Sequence, residues 1–340
     1  MKTWTCVGGA LMLAALVSPE PVRLPERLAD TGLYAAGTYD AVAPQNRPFS
    51  PQYPLWTDGL SKRRWVYLPP GTAIDGADEH GWRFPVGTKF WKEFRLGDRK
   101  VETRLLWKVA DDGWEFATYA WNEAGTEAVL APAGGLPRVI EVAPGRRHSI
   151  PSRADCAACH GTVDAGPLGF TALQLSPDRD PHAIHGEPLQ EGMLTLAQLS
   201  AEGLLAHSRL DLASKPPRIR TASPLTRSVL GYMAANCAMC HNGKGEIAAM
   251  APVITQRALV EDGDAVAAAM LGRATRWQQP GIPDGHSVVI APGSPEASVL
   301  LARMRSRAPS SQMPPLGSVV RDERAVDAVT RWIAGGLRDH

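Results

Sequence analysis

The sequence predicts a multidomain α+β protein: an N-terminal antiparallel β domain, a short irregular segment, and a mainly α C-terminal domain. Three observations predict it. Val101, Thr103, Leu105, Trp107 and Val109 alternate with charged or polar neighbours, the period-two pattern of a strand with one buried face. Ser223-Pro224 opens an apolar run through Val229, Leu230, Tyr232 and Met233, with serine as cap and proline at the first turn of a helix. Residues 321–337 place Val326, Val329, Ile333 and Leu337 on one face of a closing helix, with Trp332 beside it and Gly335-Gly336 interrupting its last turn. The 340 residues suffice for two or three domains of about 100–200 residues each. The expected bounds are 35–150, 151–218 and 219–340.

The N-terminus reads as an export signal over residues 1–18. Met1-Lys2 gives a positive start, and Trp4–Val17 is an apolar run too short to span a bilayer comfortably. The cleavage pattern at Ser18-Pro19 is poor, so an uncleaved N-terminal membrane anchor is the alternative. Within 35–150, Asp111-Asp112-Gly113 turns one strand into the next, Trp114–Trp121. Further strands fit 64–68, 89–95 and 138–142, punctuated by Pro69-Pro70-Gly71 and Pro85-Val86-Gly87. A small antiparallel sandwich is expected. Seven of the ten tryptophans fall between Trp56 and Trp121, which suits a packed core and leaves a stacked binding face as the alternative. Short helices are expected from Ser152 or Arg153, over 194–205, and over 298–304.

Four of the five cysteines lie in two copies of one pentapeptide, Cys156-Ala157-Ala158-Cys159-His160 and Cys237-Ala238-Met239-Cys240-His241. From five cysteines and nine histidines in 340 residues, chance gives roughly 0.002 copies of C-x-x-C-H. The pattern is the attachment signature of c-type haem: Cys156, Cys159, Cys237 and Cys240 form thioethers, and His160 and His241 bind iron from the proximal side. A four-cysteine zinc site or a redox C-x-x-C needs no histidine directly after each pair. Two covalently bound haem c groups are therefore expected. Cys6 falls in the apolar N-terminal run, leaving no cysteine for a disulfide. Haem attachment of this kind takes place outside the cytoplasm, which agrees with an export signal and places the protein in the periplasm. The net charge of +1 gives no reason to expect nucleic acid as a partner.

A low-spin haem needs a sixth ligand. Met313, in Gln312-Met313-Pro314-Pro315 ahead of the closing helix, is the candidate for the second haem, because a thioether favours ferrous iron. For the first haem the candidates are His185, His182, Met193, Lys92 and His148, and an open position is the alternative. Pro167 and Pro252 are candidate supports for the proximal histidines. Lys244 with Arg303, Arg305 and Arg307 could form a basic rim that steers an acidic redox partner.

Residues 220–340 resemble small class I c-type cytochromes, through Cys237–His241, Met313-Pro314-Pro315 and Trp332-Ile333. The chain as a whole resembles exported di-haem c-type cytochromes. That likeness is carried by Tyr53-Pro54-Leu55-Trp56-Thr57-Asp58-Gly59, by Phe84–Thr88 and Val101–Leu106, by Leu168-Gly169-Phe170 and by Asn236. The resemblance implies a mainly α cytochrome c domain at the C-terminus and electron transfer outside the cytoplasm, with a periplasmic or membrane redox protein as partner. Two other readings stand beside it. One is a di-haem peroxidase with an open first haem, using an acid/base among Glu93, Glu102, Glu187 and Glu191. The other is a ligand-binding β domain coupled to a cytochrome.

Overall fold

The computed structural model describes residues 22–36, 38–39, 41–160, 167–212, 214–244 and 252–336. The expected export signal, Cys6 and Leu337 lie outside them. A six-stranded antiparallel sheet dominates the fold. Its strands are β1 (Arg47–Pro48), β2 (Ser61–Tyr67), β4 (Lys89–Leu96), β5 (Arg99–Ala110), β6 (Gly113–Trp121) and β7 (Ala128–Leu130), in that spatial order. The short strand β3 (Ile74–Asp75) pairs with β10 (Leu205–Ala206), and β8 (Leu136–Ala143) forms a separate hairpin with β9 (Arg146–Ile150).

The expected sandwich is replaced by one sheet covered on both faces. On one face Trp65, Trp91, Leu105, Tyr119 and Trp121 pack against Leu24, Leu28, Leu33 and Tyr34 of the N-terminal segment. On the other, Val66 and Phe90 pack against Phe49, Phe84, Phe170, Leu175, Leu194 and Leu196. Period-two alternation marks Val101 to Val109 as one buried face. It does not show that the opposite positions are covered too: Glu102 is fully buried and Lys108 nearly so. Of the seven clustered tryptophans, four are buried and three half-buried, so the sheet offers no stacked aromatic platform to solvent.

The helices are α1 (Arg153–His160), α2 (Leu196–Ala201), α3 (Pro224–Asn236), α4 (Gln256–Ala268), α5 (Val299–Arg305) and α6 (Glu323–Arg331). Local chemistry sets their starts. Ser223 accepts from Thr226 N with Pro224 at the first position of α3, and Thr195 with Gln198 forms a capping box for α2. Ser152 and Asp155 bond reciprocally at the start of α1. At its end α6 loosens into a π-helical turn, Trp332–Gly336.

The mainly α cytochrome c domain expected over 219–340 is corrected. About 22 % of the chain is helical, no described α-helix exceeds 13 residues, and the large antiparallel sheet sets the architecture. Between α4 and α5 the chain meets Pro280, Gly281, Pro283, Gly285, Pro292, Gly293 and Pro295, which stop helix propagation. Isolated bridges such as Leu271 to Ile290 and Val288 to Ser298 hold that stretch instead. Nor is the C-terminal part self-contained. The core of Val229, Leu230, Met233, Val329, Trp332 and Ile333 also takes in Tyr53, Leu173, Ala183 and Ile184.

Tyr53 makes the tightest of these crossings. Its ring lies on α3 where residue 231 has no side chain, and a Cβ there would stand 2.0 Å from the ring. Gly231→Ala is expected to destabilise the protein by about 1–3 kcal/mol through overpacking, read as a lowered urea midpoint. A midpoint equal to that of the wild type would show that Tyr53 is not held there.

Candidate functional site

The two cysteine motifs come from different elements and face one cavity. The first rides on α1. The second follows α3, where Cys237 N donates to Met233 O at 2.8 Å and His241 N to Cys237 O at 2.9 Å. Ile254 N then donates to His241 O at 2.6 Å, which pins the chain beyond the motif. The cavity has a volume of about 740 Å³ and is lined by Cys156, Cys159, His160, Cys237, Cys240 and His241 together. The motifs are near enough that the Cys240 thiol adds to the raised pKa of Cys159.

Sheet, loops and helices supply the remaining walls. Phe90, Lys92, Arg104, Leu106 and Phe116 come from β4, β5 and β6; Trp277, Leu300, Met304 and Met313 come from the C-terminal half. The Phe116 ring lies 5.5 Å from that of His160. Met313 is held by its backbone: its N–H donates to Arg303 O at 3.0 Å, and Arg307 Nη2 donates to its carbonyl at 3.3 Å.

Burial raises all four thiols, Cys159 to about 11 and Cys237 to about 12. None is joined in a disulfide. Burial also lowers the pKa of His241, against a raising contribution from the Pro252 backbone, so the imidazole is neutral as a metal ligand must be. Among the described residues no group of three His, Cys, Asp or Glu gathers to hold a bare metal ion. A porphyrin brings its own four nitrogens and asks the protein for one or two axial ligands. The paired thiols, the histidines that follow them, the apolar walls and a cavity-lining methionine fit haem.

The structure sorts the candidates for the first haem. Lys92 lines the cavity; His148, His182, His185 and Met193 do not. Both ring nitrogens of His148 are engaged, Nδ1 with Asp58 at 2.8 Å and Nε2 with Glu102 at 3.4 Å. His185 Nε2 meets Asp322 at 2.8 Å. His182 is exposed on its loop, and Met193 sulfur accepts from Gln190 N at 3.4 Å. Pro252 and Pro167 both line the cavity, and the Pro167 carbonyl accepts from Phe170 N. The expected basic rim also changes. Arg303 and Arg307 line the cavity, and Arg305 pairs outside with Glu296 at 2.6 Å. Sequence reasoning missed Arg64, Arg104 and Trp277, all cavity-lining. For the two arginines the signal was charge at strand positions facing away from the tryptophans of the sheet; Trp277, in a loop, carried none.

Asp58, within the Tyr53–Gly59 stretch, organises the cavity's edge. Its Oδ1 accepts from Val319 N at 2.7 Å and Val320 N at 3.0 Å, just beyond the Met313 loop, while Oδ2 takes His148.

Comparison with known proteins adds nothing to this geometry: no family model, curated protein or solved structure matches the chain.

Burial alone would lower the pKa of His148, but its bonds to Asp58 and Glu102 outweigh that and hold it above the ordinary value. Stability from this group is fully present below the ordinary histidine pKa of 6.5 and is lost as pH rises through the raised one. His148→Gln is expected to cost about 3 kcal/mol near pH 6. It should also remove this share of the fall in urea midpoint as pH rises above 6.5. An unchanged pH profile would show that His148 is not protonated in the fold.

Proposed function

We propose that this chain is an exported di-haem c-type cytochrome that passes single electrons between redox partners in the periplasm. One observation carries the reading: two C-x-x-C-H motifs, far apart in sequence, line a single cavity. Bound haem would supply a one-electron iron couple. The protein's part is attachment, ligation and exclusion of water. Cys156 and Cys159 would anchor one group, and Cys237 and Cys240 the other, each thiol adding across a vinyl group so that sulfur bonds carbon and the proton ends on the neighbouring carbon. His160 and His241 would hold iron from the proximal side, and Met313 would hold the second iron from the distal side. A shared cavity favours transfer between the two centres, because neither is walled off by a separate core.

The peroxidase reading has less support. It needs an acid/base over an open iron, and Glu93, Glu102, Glu187 and Glu191 do not line the cavity. Glu102 is taken by Arg104 and His148, and Glu93 by Arg95 and Tyr34. The ligand-binding β domain loses its motive, because the tryptophans that suggested it are packed away from solvent.

Optical and EPR spectra of oxidised and reduced protein test the proposal. Met313→Ala is expected to lower the midpoint potential of one haem and abolish the weak long-wavelength band of iron–thioether ligation, leaving the other haem unchanged. Cys237→Ser with Cys240→Ser is expected to halve the covalent haem. A wild type without that band, or a Met313→Ala protein with both haems unaltered, would remove Met313 from the account.

A further inference from the structure

The cavity wall beside the first motif carries three basic side chains in one row. Arg64 on β2, Lys92 on β4 and Arg104 on β5 are direct cross-strand partners, and all three line the cavity. Directly opposed like charges, with Cα atoms only about 5 Å apart, repel. Carboxylates relieve two of the three. Glu187 meets Arg64 at 3.0 Å, and Glu102 meets Arg104 at 2.5 Å. Among the described residues Lys92 forms neither hydrogen bond nor ion pair; its Nζ stands 5.1 Å from the centre of the Phe94 ring. Lys62 Nζ lies over the same ring at 5.6 Å and donates to Leu60 O at 2.8 Å, and burial, then Arg64, lowers its pKa to about 7.

A second observation points to a ligand. The Arg64 side chain is only 5 % exposed, and its Nη2 is buried with no hydrogen-bond partner. A buried guanidinium nitrogen without an acceptor is costly, and its residue lines the same cavity as Lys92, an amine without a counter-ion. Burial, then Arg64, Lys62 and Arg104, push the Lys92 amine well below its ordinary pKa, and Glu102 only partly offsets them. An arriving anion would reverse that balance and satisfy both groups.

We propose that the Arg64–Lys92–Arg104 row is an anion-binding site inside the cavity, taking one carboxylate or small oxyanion between Lys92 and Arg64. The proposal rests on the haem reading only for the source of the anion: a propionate of the first haem, or a free anion entering beside it.

The test uses full-length holoprotein as wild type, Lys92→Gln and Lys92→Arg, with covalent haem counted in each. Sodium acetate and sodium sulfate are the probes, added at constant ionic strength. The readouts are the Soret difference spectrum, both midpoint potentials, and tryptophan fluorescence, since Trp56 and Trp277 line the same cavity. A free anion as occupant gives a saturable response in the wild type that is at least tenfold weaker in Lys92→Gln and kept in Lys92→Arg. A propionate as occupant gives no response to either probe; instead the potential of one haem falls in Lys92→Gln and recovers in Lys92→Arg. Absence of both patterns overturns the site. So does conversion of one haem to high spin in both variants, because arginine keeps the charge but cannot ligate iron, and Lys92 would then be the iron ligand. A wild type with fewer than two haems but a Lys92-dependent fluorescence response would sink the haem reading and leave the anion site standing.

Discussion

A single buried carboxylate ties the parts of this molecule together. Asp58 leaves the sheet region with a positive φ of 49°, and its two oxygens accept from the Val319 and Val320 amides and meet the His148 ring. Through it the chain before β2, the hairpin β8–β9 and the loop beyond Met313 share one acceptor. Two residues earlier, Trp56 N donates to Asn236 Oδ1 at 2.9 Å, and Asn236 Nδ2 turns back to Tyr232 O at 2.9 Å. That fixes the end of α3, where the second cysteine motif begins. Parting these segments would leave a carboxylate, two amides and an imidazole buried without partners, each at about 1–3 kcal/mol. The segment from Tyr53 to Asp58 therefore joins the sheet to the C-terminal half and closes the cavity between them.

The cavity is apolar over most of its wall and cationic at one place. Burial in the apolar part raises the pKa of the four thiols and lowers that of His241. The cationic part runs along one cross-strand row of the sheet, on the face that the tryptophans leave. One antiparallel sheet can serve both because its side chains alternate: Trp91 and Leu105 sit in the core against the N-terminal segment, while the neighbouring positions Lys92 and Arg104 turn toward the first motif.

Local chemistry was legible in the sequence. The two cysteine motifs, the Ser223-Pro224 helix start, the turn at Asp111–Gly113 and the strands around it depend on neighbours within a few residues, and the structure carries each of them. Met313, singled out as a ligand candidate partly for its proline context, lines the cavity. What local pattern could not carry was contact between distant segments. Charged positions such as Arg64, Glu102 and Arg104 read as a solvated strand face, because alternation does not tell water from a second covering layer. The helical periods near residues 223 and 321 suggested a separate helical domain, because periodicity reports which face is apolar and not what covers it. Tyr53, lying on α3, is part of that cover.

The claim on which the account depends is that this one cavity receives two covalently attached haems. Intact mass of the full-length chain, taken after denaturing extraction that strips non-covalent haem, tests it most directly. The account predicts a mass greater than the polypeptide by two haem units, falling to one unit when either pair of motif cysteines is replaced by serine. A chain at the polypeptide mass alone, or at one unit whichever pair is replaced, would contradict it.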